Sequence, residues 1–407
     1  MKSAEPVSGR CPARLWAVED LPELDFDPFL RESLRERPVS RIRLPHGEGE
    51  CWLVTRYDDV RFVTSDPRFS RDIIGRPIPK MTKHFIPMDR ALSFVDPPGH
   101  ARVRAVVAPA FTQRAMDRLR PRVQELLDLR VDRMMAAGPT ADLVEHVTSP
   151  FPLDVVSELI GVPPADRPQI RAWAGTLLNR TSDEAAADRA RQGREAACAY
   201  FRDLAAQRRA EPRDDLMSTM VAAVDDGRID EEELLALTTL MELNGWHAVC
   251  NNTTNMVYAL LTRDGLMDRL RSEPALVPRA VDELLRWIPH KHGVGQPRIA
   301  TQDVEVGGVL IRDGELVYVS YVAGNWDEQV YPDPDRIDIE RQGPPHLAFG
   351  HGPHYCVGPL LARMEAEVLL STLLNRLPDL RLAVPAEQVR WPTGVLIRGP
   401  IDLPVAW

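Results

Sequence analysis

The stretch from Asp230 to about Thr262 contains no proline and keeps a helical apolar pattern. At 1.5 Å per residue it predicts a helix of roughly 45–50 Å. Any fold of this chain must therefore be built around a rod that crosses the whole domain. Asp230 can cap that rod, and Glu233 three residues later completes the pattern of a capping box. Further helical patterns cover Ala115 to Ala137, closed by Gly138 and Pro139, then Leu153 to Ile160, Glu184 to Arg209, Val277 to Trp287 and Gly358 to Leu377. Strand-like runs are short: Arg41 to Leu44, Cys51 to Thr55, and a hairpin of Asp303 to Leu310 with Glu315 to Ser320. Pro332 to Pro345 is a proline-rich meander. The pattern predicts a mainly α fold, one domain over 1–407 with small β-sheets at its sides and about 1–15 as a flexible N-terminal segment.

Hydrophobic residues make up 44% of the 407, enough for a substantial core. A net charge of −10 argues against a nucleic-acid polymer as partner. No run reaches the roughly 18 apolar residues of a membrane span. Met1 to Pro12 lacks an apolar signal core, so a cytoplasmic protein is expected. The cysteines Cys11, Cys51, Cys198, Cys250 and Cys356 are odd in number and not at metal-finger spacing, which fits a reducing compartment. Four read as small hydrophobes. Cys356 has neighbours that ask for another explanation.

Residues 349 to 358 read Phe-Gly-His-Gly-Pro-His-Tyr-Cys-Val-Gly. Gly350, Gly352 and Gly358 allow tight turns and close approach of backbone to a flat ligand. Cys356 precedes a long helix, whose dipole lowers a thiol pKa. A thiolate bound to haem iron pushes electron density toward oxygen and favours O–O cleavage. A lone cysteine in a glycine-rich turn is more often a buried thiol, but here the whole string resembles the haem-binding signature of the cytochrome P450 family at every fixed position.

Other segments extend the resemblance. Glu283-Leu-Leu-Arg286 is similar to the family's Glu-x-x-Arg motif, with Arg336 of the meander matching the second arginine of a buried structural network. His100 and Arg104, Arg298 and His354 match haem-propionate contacts, where several cations neutralise two carboxylates. The resemblance implies haem b (iron protoporphyrin IX) held by Cys356 as the iron ligand, with Phe349, Gly350 and Gly358 beside it. It also implies electrons from a ferredoxin and a ferredoxin reductase, since the chain has no flavin or iron–sulfur motif of its own.

The central helix departs from the family. Where Ala-Gly-x-(Asp/Glu)-Thr usually stands over the iron, this chain has Asn244-Gly-Trp-His-Ala248. Gly245 is kept, His247 replaces the acid and Ala248 the alcohol. His247 is then a proton donor, whose ordinary pKa of about 6.5 suits the task. Alternatively it turns into the helix bundle and a water or substrate hydroxyl relays protons, or the enzyme couples substrate radicals instead of inserting oxygen. Family position puts Asn244, Trp246, Val294 and Leu396 in the substrate pocket, with Trp246 equally suited to core packing. The polar run Pro79 to His84 stands in the expected roof of the pocket, as a substrate contact or as a solvated loop. Four segments resemble actinobacterial members of the family that oxidise cyclodipeptides, by ring coupling of cyclo(Tyr-Tyr) or dimerisation of tryptophan diketopiperazines: Arg298 to Asp303, Gly324 to Asp327, Ala383 to Trp391 and Leu403 to Trp407. The function expected is oxidative C–C or C–N coupling of an aromatic cyclodipeptide. The alternatives are an ordinary hydroxylating monooxygenase, peroxide-driven chemistry, and a silent haem-binding module.

Overall fold

The computed structural model describes residues 12–17, 20–81, 90–177, 184–290, 295–395 and 397–407. Its axis is the central helix Glu231–Thr262. Asp230 accepts from the Glu233 N–H at 2.8 Å while the Glu233 carboxylate accepts from the Asp230 N–H at 2.9 Å, so two of the helix's orphan donors are satisfied reciprocally. Glu233 also receives the Arg102 guanidinium, at 2.5 Å, and ties the start of the central helix to the short helix Gly99–Val107.

Around this axis pack Gln113–Ala136, Pro150–Ile160, Glu184–Ala210, Val277–Trp287 and Pro359–Arg376. The middle of the central helix is buried on most sides, with Met256, Val257, Tyr258 and Ala259 all within 1% exposure. A rod surrounded by other helices needs apolar residues around its circumference rather than along one stripe.

The main sheet lies to one side. Its six strands run in the order Arg14–Leu15, Val39–Arg43, Cys51–Val54, Leu316–Val319, Arg298–Ala300 and Phe69–Ser70. Cys51–Val54 pairs in parallel with Leu316–Val319, Trp52 opposite Val317. The expected hairpin is corrected by the structure. Gly307 and Gly308, at φ +54° and +79°, turn the chain within the run expected as one strand, so the hairpin joins Val304–Val306 to Val309–Ile311. Leu316–Val319 belongs to the large sheet instead. The N-terminal segment, expected to be flexible to about residue 15, contains a short strand at Arg14–Leu15. Arg14 and Leu15 pair with Ile42 and Arg43, and the Trp16 indole donates to Asp27 at 3.0 Å. Residues 1–11 lie outside the described residues. Among the described residues no helix is long and apolar enough to cross a membrane.

Candidate active site

The cysteine loop leads from the meander into the helix Pro359–Arg376. Gly350 and Gly352 both take left-handed backbone, at φ +79° and +74°. Only glycine fits at 352, since a Cβ there would stand 2.2 Å from the Thr64 carbonyl oxygen. The loop closes on itself through the Cys356 N–H, which donates to the Phe349 carbonyl at 2.9 Å. Cys356 is thus presented, exposed, just ahead of the positive end of an 18-residue helix. The Phe349 ring is covered by the Arg363 guanidinium, 4.8 Å from its centroid. Gly358 has an ordinary φ of −109° and caps the helix. Its nearest constraint is the Phe111 ring, 3.3 Å from where a Cβ would be, so the tight turn expected of three glycines is made by two.

A group of bases converges beside this loop. His100 and Arg104 stand one turn apart on Gly99–Val107. The His100 and His354 rings lie 4.3 Å apart, and Arg104 donates to the Cys356 carbonyl at 3.3 Å. Arg298, 1% exposed, reaches toward the Tyr321 hydroxyl at 3.5 Å. Burial, then the neighbouring Arg71 guanidinium, pushes the His354 imidazole down to about 2. Burial and Arg104 also lower His100. Both histidines are neutral at pH 7. His100 Nε2 is buried with no hydrogen-bond partner among the described residues. An exposed thiol at a helix start, beside buried and half-buried basic side chains of net positive charge with an orphaned ring nitrogen, fits a flat dicarboxylate cofactor such as haem.

The central helix carries the residues that family position assigns to a third wall of the pocket. Asn244 is exposed, although its helix is mostly buried. Trp246 takes the core-packing alternative: it is 7% exposed, belongs to the main hydrophobic core and donates its indole N–H to the Ser149 carbonyl at 2.9 Å. Gly245 also faces that way. A Cβ on it would lie 2.7 Å from Val156 Cγ2, so close approach of the helix Pro150–Ile160 favours glycine there. His247 is partly buried, and desolvation pushes its imidazole down to about 4, leaving it neutral near pH 7. Asn251, one turn on, donates to the His247 carbonyl at 2.8 Å and stands 3.3 Å from its Nε2. Ala248 is partly buried, one turn from Asn244. Val294 and Leu396 lie outside the described residues, as do Thr82 to His84 of the polar run.

Glu283 and Arg286 form a buried bidentate pair at 2.7 and 2.8 Å. Arg286 also donates to the carbonyls of Asn325, Pro334 and Arg336. The second arginine is Arg341, whose Nε donates to Glu283 at 3.1 Å. Arg336, expected in that role, is exposed and enters only through its carbonyl, which accepts from both Arg286 and Arg341. Sequence reasoning missed Arg341, Arg71 and Asn251. The i to i+4 spacing of His247 and Asn251 on one helix face was a usable signal; nothing local marked the other two.

The family model described as Cytochrome P450 matches residues 177–383. The chain is 49% identical to a biflaviolin synthase of Streptomyces coelicolor, covering 97% of both chains. It is 42% identical to a mycinamicin IV hydroxylase/epoxidase of Micromonospora griseorubida over the full length of both. The crystal structure of a cytochrome P450 with biaryl coupling reactivity superposes with a TM-score of 0.93 at 44% identity, over 97% of this chain and all of that one.

Proposed function

Because the chain belongs to the cytochrome P450 family, a haem-dependent oxidoreductase fold, we propose that it catalyses oxidative coupling of small phenolic or indolic aromatics in natural-product biosynthesis, with aromatic cyclodipeptides as candidate substrates. Bound haem supplies the activation of oxygen by electrons delivered from outside, and the chain's own residues determine what is done with it. Cys356 would hold the iron as thiolate, at the N-terminal end of the helix behind it. His100, Arg104, Arg298 and His354 would hold the propionates. A ferredoxin and its reductase are the proposed electron donors.

The observation that carries the reading is the central helix wall. Its usual acid–alcohol pair is replaced by a desolvated neutral histidine and an alanine. Proton delivery at this wall then falls to water or to a hydroxyl that the substrate brings. A phenol brings one, and it is also the group whose hydrogen is removed in aryl coupling. A biflaviolin synthase and a biaryl-coupling enzyme among the relatives support this chemistry. A second reading is oxygen insertion, which a hydroxylase/epoxidase and a nocardicin C N-oxygenase among the relatives favour.

The test is turnover with a surrogate ferredoxin system on cyclo(Tyr-Tyr), tryptophan-containing cyclodipeptides with and without guanine, and flaviolin. A product of two joined units, or a closed ring, lighter by two hydrogens supports coupling. A product heavier by one oxygen supports insertion. Absence of both products and of any haem spectral shift removes these substrates.

A further inference from the structure

Arg71 follows the edge strand Phe69–Ser70 and points into the protein, 5% exposed. Its backbone N–H donates to Asp96 Oδ1 at 2.9 Å, and its Nη1 makes one long bond, 3.3 Å, to the Ser93 carbonyl. Its Nε is buried with no partner among the described residues. A guanidinium has five donors and does not give up its proton, so burying one so thinly satisfied is costly unless an anion joins it. Burial and the neighbouring Arg298 charge act against it, opposed by Tyr321 and Asp96, and Arg71 in turn acts on both His100 and His354.

The charges of this group do not balance. Arg71, Arg104 and Arg298 carry three positive charges, and Asp96 carries one negative. The excess is two positive charges, the number that two propionates would cancel. Without Arg71 the cradle would be one charge short.

We propose that Arg71 is a further propionate-binding residue of this chain, donating from its unpaired Nε edge to one haem carboxylate. This rests on the haem reading above. It also makes Asp96 a positioning residue, since Asp96 accepts the Arg71 N–H and the Ser70 hydroxyl together and so fixes the backbone from which Arg71 projects.

The test uses the purified holoenzyme and two variants. Arg71→Gln is expected to pass haem to excess apomyoglobin roughly tenfold faster than the parent, from the loss of one charge-assisted hydrogen bond. It should also lower the ferric/ferrous midpoint potential, because removing a cation near the haem favours the more positive ferric state. Arg71→Lys keeps the charge and loses the planar fork, so it should restore the potential while still releasing haem faster than the parent. A purely structural role at Ser93 would leave the potential unmoved and make the two variants alike, which would overturn the proposal. Unchanged haem release with a weaker substrate-induced spectral shift would overturn it too, and would place Arg71 in the substrate pocket. Parent protein that binds no haem would sink the haem reading and this inference together.

Discussion

Arg341 and Arg336 lie five residues apart in the same meander, and the structure separates them sharply. Arg341 donates to the Glu283 carboxylate and to the carbonyls of Pro332, Asp333 and Arg336, while the Arg336 side chain faces solvent. Replacing Arg341 by alanine removes a hydrogen bond to a buried carboxylate, which costs roughly 1.5–3 kcal/mol. The three carbonyls are near the surface and regain water, so they add only about another 1 kcal/mol. The expected loss is therefore about 3 kcal/mol. With an unfolding entropy of about 2.1 cal/mol/K per residue, a 407-residue chain shifts its midpoint by about 3–4 °C. Arg336→Ala should stay within about 0.5 kcal/mol, or under 1 °C. Differential scanning calorimetry of the three holoproteins at one pH and scan rate reads this directly. A destabilisation by Arg336→Ala equal to that of Arg341→Ala would refute the assignment of the network to Arg341.

Cys356→Ser is expected to abolish the long-wavelength band of the reduced CO complex, and survival of that band would remove Cys356 as the iron ligand. Gly245→Ala drives a methyl into Val156 and should cost about 1–3 kcal/mol; adding Val156→Ala should recover part of that loss, and strictly additive losses in urea unfolding would contradict the helix contact. His247, held neutral down to about 4, binds no proton between pH 6.5 and 4 while the unfolded chain does, so folding stability falls as the pH drops through that window. His247→Gln should flatten this slope, and an unchanged slope in pH-dependent urea titrations would show that the imidazole titrates normally.

The parts legible in the sequence are those governed by local chemistry. The capping box at Asp230 and Glu233, the helix Val277–Trp287 and the two left-handed glycines of the cysteine loop follow from residues a few positions apart. The errors fall where the answer depends on which neighbour arrives from elsewhere. Trp246 and Gly245 sit on the helix beside the wall residues Asn244 and Ala248, but periodicity does not say which face meets Pro150–Ile160. Either arginine of the meander satisfies a charge pattern, and only the folded path of the meander brings Arg341 to Glu283. Arg71 reads as an ordinary polar residue after a strand, because its partners come from residues 93–104, 298 and 354.

The parallel pairing of Cys51–Val54 with Leu316–Val319 has a consequence during synthesis. The two strands are separated by about 260 residues. At roughly 5–20 residues per second, the first strand waits about 13 to 52 s for the ribosome to deliver the second. Throughout that interval Leu53 and Val54, fully buried at the end, belong to an open edge of the sort that recruits strands from other chains. Yield in a heterologous host is then set by what shelters that edge on the nascent chain, so slower translation should lower it and added chaperone should raise it, with the finished enzyme equally stable in every case.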